Sequence, residues 1–364
     1  MVMSKGLGVV AVTAMAAWSQ TIHDGLPATT LQTPAAVLVI DLGGGSIVDF
    51  HMPDHGLNPL RWLGPADEKL TLRPMAHFLC LDRWGQPSAS EGRNGMPYHG
   101  EATRVMWQQE EAPSAGGPFA AAAFSAMLPM AGLEVRRTVR LARNAACFIV
   151  SETVTNRNKL GRPYNMVQHP TIGPPFLDET TLVDANAGKG FMQSSPMPNP
   201  EEPAISWPAA LKGAEKVDLR RLTSDPLPAV VSFVIDAEYG WVTAITPSKG
   251  LLLGYLWKTS EYPWLNIWRH VDKGKPLARG LEFGTTGLHQ PFGVLIAKGS
   301  IFGRPLVAYL DAGESATRSY AAFLVKTPPD FAGVESVEYG QRRIVVRERR
   351  QPLRELVIET GEIF

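Results

Sequence analysis

Alternation of apolar and polar residues with a period of two is the feature that most constrains this chain. Residues 133–141, LEVRRTVRL, place Leu133, Val135, Arg137, Val139 and Leu141 on one side of an extended segment and Glu134, Arg136, Thr138 and Arg140 on the other. That is a half-buried strand; a helix would scramble the pattern. Further strand candidates are 36–42 (AVLVIDL), 146–155, 229–235, 240–246, 251–257, 342–348 and 353–359. They recur too regularly for strands alternating with helices. Residues 120–128 and 314–325 have helix-forming content, but their flanking Gly and Pro and the surrounding pattern favour strands. Gly and Pro, at 34 and 30 of 364 residues, are spread along the chain and punctuate it into many short elements. The expectation is all-β: one large antiparallel β-sandwich domain over 29–364, with two sheets facing across a core. The Pro-rich run 194–208, SSPMPNPEEPAISWP, reads as a surface loop within it.

Composition removes several function classes. Hydrophobic residues make up 45% and charged ones 19%, enough for a large core and incompatible with disorder throughout. Lys+Arg and Asp+Glu balance at 35 each, so no global basic field draws in a phosphate backbone, and nucleic acid is not expected as a partner. Residues 1–20 carry a single charge, Lys5, an apolar stretch from Gly6 to Trp18, and small residues near the end. This is the layout of a signal peptide, with a first strand, VVAVTAM, as the alternative; the apolar run is too short for a membrane span. The expected location is periplasmic or secreted, with the cytoplasm as the alternative, and the mature chain has no expected membrane span. No feature specifies an oligomeric state. Cys80 and Cys147 sit in apolar runs and read as buried, inert thiols.

No nucleotide-binding, P-loop, serine-hydrolase or zincin motif is present, so no cofactor is expected. His51-Met52-Pro53-Asp54-His55 gathers two His and an Asp, but in a Pro-containing turn such a group reads as a solvated loop, and no metal is expected. Three other segments suggest a polar site. In Pro97-Tyr98-His99-Gly100-Glu101 a turn hands His99 to a Gly that allows close backbone approach. In Gln168-His169-Pro170-Thr171-Ile172-Gly173-Pro174-Pro175, His169 closes an apolar segment. In Leu281-Glu282-Phe283-Gly284, Glu282 alternates with two apolar neighbours.

With these segments in hand, the chain resembles the aldose 1-epimerase, or galactose mutarotase-like, family over about residues 30–330. The match runs in order through VLVIDLGGGSIVDFHMPDHGLNPLRW, PYHGEATRVMW, NMVQHPTIGPPFL, Pro247-Ser248-Lys249-Gly250, LEFGTTGLHQPF and DAGESATRSYAAF. The resemblance implies a galactose mutarotase-like supersandwich and a cofactor-free sugar epimerase. It implies Glu282 as general base, His169 as general acid and His99 near the ring oxygen. Arg83 would be the substrate-binding arginine, with Arg73 and Arg93 as alternatives; Asp225 and Asp236 both lie where the family has its substrate-binding Asp. A carboxylate beside the acid would raise the pKa of His169 and keep it protonated.

Sugar pockets need flat apolar faces and planar donors. Trp257, Trp264 and Trp268, with Asn266 close by, supply them just ahead of Glu282, and Trp264, Asn266 and Trp268 share one strand face. After His169 the family commonly has a Ser/Thr-Tyr-Phe-Asn-type run where this chain has Pro170-Thr171-Ile172-Gly173, so galactose and glucose are not implied as substrates. The expected reaction is α/β anomer interconversion of a small sugar. The alternatives are a noncatalytic carbohydrate-binding protein, or a polysaccharide lyase or hydrolase relative on the same sandwich.

Overall fold

The computed structural model describes residues 21–364 apart from 24, 65–71, 115, 223, 224, 226 and 351–353. The signal-like segment and its strand alternative lie outside the described residues. Every strand candidate inside them is a strand, including both helix-tempting segments, which become Phe119–Leu128 and Ser315–Lys326. Helix is confined to short pieces such as Ala89–Arg93 and Phe292–Lys298, and no described helix is long and apolar enough to cross a membrane.

Among the described residues two large sheets, paired antiparallel, dominate. The first has twelve strands and runs from Thr21–His23 through Leu26–Gln32, Val37–Asp41, Ile47–His51 and His77–Asp82 to Arg162–Ile172 at its centre. It continues through Lys275–Gly284, Trp264–Asp272, Val230–Ile235 and Ala187–Met192 to Ile205–Ser206, with Ala308–Leu310 pairing off the central strand. The second has eight strands, in the order Leu182–Ala185, Tyr239–Thr246, Leu251–Lys258, Ser315–Lys326, Cys147–Asn156, Leu133–Ala142, Phe119–Leu128 and Gln108–Gln109. The two face each other across a core that includes Leu79, Met166, Leu253, Leu265, Phe283 and Leu324. Each such side chain taken fully out of water stabilises the fold by about 1.5–3 kcal/mol.

A third layer is present that the sequence did not announce. The strands Val334–Gly340, Arg343–Glu348 and Glu355–Glu359 form their own sheet, whose Ile344, Val346 and Ile358 pack on Ala321 and Phe323 of the eight-stranded sheet. That sheet is therefore covered on both faces. Its central strands read as apolar runs for this reason, as LLLGYLW does. Cys80 and Cys147 are free, buried and in different clusters.

Candidate active site

Strand pairing alone brings the two principal residues together. Residues 168 and 283 pair across the strands Arg162–Ile172 and Lys275–Gly284, which sets His169 beside Glu282. On the other flank His169 pairs with Phe78; Glu282 pairs with Asn266, and Asn266 with Ser232. One row of side chains, Phe78, His169, Glu282, Asn266 and Ser232, thus crosses five strands on the sheet face away from the core. Directly opposed residues have Cβ atoms about 4.5–5.5 Å apart, and here His169 Nε2 stands 3.1 Å from Glu282 Oε1.

Both groups are held at their far ends. The Trp84 indole N–H donates to Glu282 Oε2 at 2.7 Å. The Thr171 hydroxyl donates to the His169 carbonyl at 3.3 Å and lies 2.9 Å from Nδ1, so Nδ1 carries a hydrogen and Nε2 faces the carboxyl. His169 is 5% exposed and Glu282 1%. Burial pushes the Glu282 carboxyl well above 4.5 and the His169 imidazole down to about 3. The expectation that the carboxylate would raise the histidine is therefore reversed: desolvation outweighs the pairing. The free site favours a protonated carboxyl against a neutral imidazole, one proton on the pair.

Around this dyad stands a wall of rings. Phe78 stacks on His169 at 4.1 Å and 20°; Trp62 stacks on Phe78 at 6.1 Å; Trp268 lies 5.8 Å from His169 and 5.6 Å from Trp62. His99 comes from the turn that the sequence suggested. It adopts φ 66° and is followed by Gly100 at φ 78°, where a Cβ would sit 2.0 Å from the Leu81 carbonyl oxygen. The Gly85 N–H donates to His99 Nδ1 at 3.0 Å, which leaves the hydrogen on Nε2, and the ring lies 5.7 Å from His169. His289 lies 5.7 Å from His99, edge-on to Trp84 at 4.7 Å, and its Nε2 is 3.0 Å from the hydroxyl of exposed Tyr98. Burial lowers His99 well below 6.5 and His289 to about 4, so all three imidazoles are neutral near pH 7.

The other sequence candidates divide. Trp264, Asn266 and Trp268 do share the outer face: Trp268 stands at the rim, and Asn266 is buried beside Glu282 with Oδ1 unpartnered. Trp264 packs instead with Phe191, Leu288 and Leu295, away from the dyad. Trp257 belongs to the eight-stranded sheet and stacks on Phe283 at 4.2 Å and 6°, inside the core. It is not a wall of this site, because the turn after Lys258 moves the chain from one sheet to the other. Arg83 is committed to Asp82 at 2.7 Å and Glu91 at 2.8 Å, lies over Phe292, and holds Glu91 down at about 2. It does not reach the dyad. Arg93 is exposed and bonds Ser90, and Arg73 is half-buried. Asp225 pairs with Lys212 and Asp236 with Arg304, so neither candidate Asp stands at the dyad. In the His51–His55 turn, His51 bonds Asp49, Asp54 bonds Lys326, and His55 bonds the Lys249 carbonyl; no three potential metal ligands converge among the described residues. Sequence reasoning missed Trp62, Phe78, Trp84, Tyr98 and His289. Trp84 adjoins the proposed arginine and Tyr98 adjoins His99, but neither has a spacing that points to Glu282.

Paired acid and base at the foot of an aromatic wall can move two protons on neighbouring atoms of one bound ring. No protein-family model and no curated protein matches the sequence. Solved structures do match the fold. A galactose mutarotase-like protein from Clostridium acetobutylicum superposes with TM-score 0.60 at 13% identity, over 83% of this chain and 96% of that one. A galactose mutarotase related enzyme from Lactobacillus acidophilus gives 0.58 at 12%, over 83% and 98%. A galactose mutarotase-like protein from Lactobacillus casei gives 0.57 at 14%, over 82% and 100%. The chain has the galactose mutarotase-like fold.

Proposed function

We propose that this protein is a cofactor-independent sugar 1-epimerase, exported from the cytoplasm, that interconverts α and β anomers through His169 and Glu282. The observation that carries the reading is the 3.1 Å contact between an imidazole and a carboxyl on adjacent strands, set among rings that suit the C–H face of a sugar. Anomerisation removes the proton from the anomeric hydroxyl oxygen, breaks the bond between the anomeric carbon and the ring oxygen, and puts a proton on that ring oxygen. The open aldehyde turns about the adjacent carbon–carbon bond and recloses by the reverse steps. Both oxygens are attached to one carbon, so acid and base must be neighbours rather than stand a sugar ring apart.

With one proton on the pair, the carboxyl of Glu282 protonates the ring oxygen while His169 Nε2 takes the hydroxyl proton; reclosure returns both. The opposite disposition, Glu282 as base and His169 as acid, balances equally, and substrate hydroxyls that hydrogen-bond the carboxylate favour it. Each positioned group contributes about 10²–10⁴ in rate. His99, with its hydrogen on Nε2, is a donor for the ring oxygen, and Asn266 and Trp268 bind hydroxyl and apolar face.

The test is magnetisation exchange between α and β anomeric protons over a panel of free sugars, for wild type, His169→Ala and Glu282→Gln. Exchange that needs the protein and is lost in both variants is expected. Sugar binding without accelerated exchange would move the noncatalytic reading ahead, which the Pro170–Gly173 departure and the closure of the dyad on itself favour.

A further inference from the structure

Beside the dyad lies a cleft of about 720 Å³, lined by His23, Asp49, Arg61, Trp62, Pro174 and Pro175 among others. This is within the range of about 300–1,000 Å³ usual for ligand sites. Trp62 belongs to both places: it stacks on Phe78 and meets Trp268 at the dyad, and it also lines the cleft. The two are tied through the backbone as well. The Thr171 N–H donates to the Ala76 carbonyl and the Ala76 N–H to the Trp62 carbonyl, both at 2.9 Å, and Thr171 is the residue that holds His169. Gly173 brings the Pro174-Pro175 wall against the Arg61 segment, where a Cβ would lie 2.4 Å from the Arg61 carbonyl oxygen.

The free valences of the cleft are of both kinds. Arg61 is exposed and forms no ion pair among the described residues. His23 Nδ1 is buried with no hydrogen-bond partner among them. Asp49 gives one oxygen to His51 at 2.8 Å and has a second that can accept. A phosphate or carboxylate ligand would be repelled by Asp49 and a cation by Arg61. Vicinal hydroxyls, which donate and accept at once, satisfy both, and the Trp62 indole offers a flat apolar face.

We propose that this cleft is a second sugar subsite, so that the ligand is an oligosaccharide whose reducing-end ring sits at the His169–Glu282 dyad and whose next unit passes the Trp62 ridge into the cleft. The inference rests on the sugar-site reading of the dyad. The Gly173-Pro174-Pro175 turn that follows the His169 strand acquires a role in it: it builds the wall of the second subsite.

Calorimetric titration with maltose, cellobiose and lactose, against glucose and galactose, tests the proposal on wild type, Arg61→Ala and Asp49→Asn, with thermal unfolding as the folding control. At least one disaccharide is expected to bind wild type about tenfold tighter than its own reducing-end monosaccharide, an advantage that both variants erase while monosaccharide affinity stays the same. Equal affinity for mono- and disaccharide, equal losses for both in the variants, or no binding of any disaccharide at millimolar concentration overturns it. Anomeric exchange on the same samples separates the two ideas. Disaccharide preference without exchange keeps the subsite and removes the epimerase; exchange without disaccharide preference does the reverse.

Discussion

Gln168 and His169 are consecutive residues of one central strand, both buried, and they point to opposite faces of the twelve-stranded sheet. Gln168 enters the space between the sheets. Its amide donates to Glu152 at 2.5 Å and to the Tyr262 hydroxyl at 3.2 Å, and its oxygen meets His77 at 3.3 Å. Arg137 closes the group by its 2.6 Å bond to Glu152 and its place over Trp107 at 4.4 Å, and the hydroxyls of Tyr255 and Tyr320 flank His77. On the outer face His169 and Glu282 are as deeply buried, yet Asn266 Oδ1 beside them is unpartnered and the rings above reach solvent through half-buried Trp62, Trp268 and His289. Residue types and burial are nearly the same in the two clusters. The difference is that the inner one bonds within itself, whereas the outer one opens at a mouth and holds the unpartnered Asn266 oxygen beside its acid and base, so access to solvent rather than burial distinguishes the working site.

Substitutions should separate the clusters by what they destroy. The largest effect expected is on stability inside: Glu152→Ala strips the buried Arg137 of its counter-charge and should cost about 3–5 kcal/mol in chemical unfolding, whereas Glu282→Gln should unfold close to wild type while losing exchange. Equal destabilisation by the two would erase the distinction. Next comes pH. Burial holds His169 near 3 and Glu282 well above 4.5, so the pair carries one proton from about 3 up to the raised range of the carboxyl. The pH profile of kcat/KM for exchange should therefore be a bell, with the acid limb near 3, where His169 gains a second proton for the pair, and an alkaline limb above the ordinary carboxylate range, where Glu282 gives up the shared one; an acid limb at 6.5 would mean a solvated dyad. The smallest effect is positional: Trp84→Phe keeps the ring and removes the donor to Glu282 Oε2, with a loss of roughly ten- to a hundredfold in kcat/KM. Its alkaline limb should move up as well, since the indole N–H favours the ionised carboxylate, and a purely structural role would not cause that shift.

The strands were legible because a sandwich imposes period two on every segment with one wet face, and LEVRRTVRL keeps it even where Arg137 takes an inward place. The inner network was not legible from that pattern, since a buried Arg is identified only by distant partners, here Glu152 on the adjacent strand, the Gly45 carbonyl and the Trp107 ring. His169 and Glu282 were legible through the order of their segments. Trp257 misled because the chain changes sheets in the six residues between it and Trp264, and Trp264 because, although on the outer face, it stands two residues along the strand from Asn266 and packs under Phe191 and Leu288. Arg83 misled because its two carboxylate partners, Asp82 beside it and Glu91 in the following helix, are a local arrangement that composition does not reveal. Trp84, Tyr98 and His289 arrive at Glu282 from loops, where no periodicity reports a destination.

The row from Phe78 to Ser232 has a consequence for how such a protein can change. Its members are neighbours only because five strands are in step. Deleting or inserting a single residue between Lys275 and Glu282 would turn the carboxyl into the core and offer Phe283 or Leu281 to the ligand. The loops that carry Trp62, Tyr98 and His289 have no such clock, and they can lengthen, shorten or be exchanged while the acid and base keep their distance. Directed evolution of new sugar preferences should accordingly accept length variation in those loops and reject it in the strands.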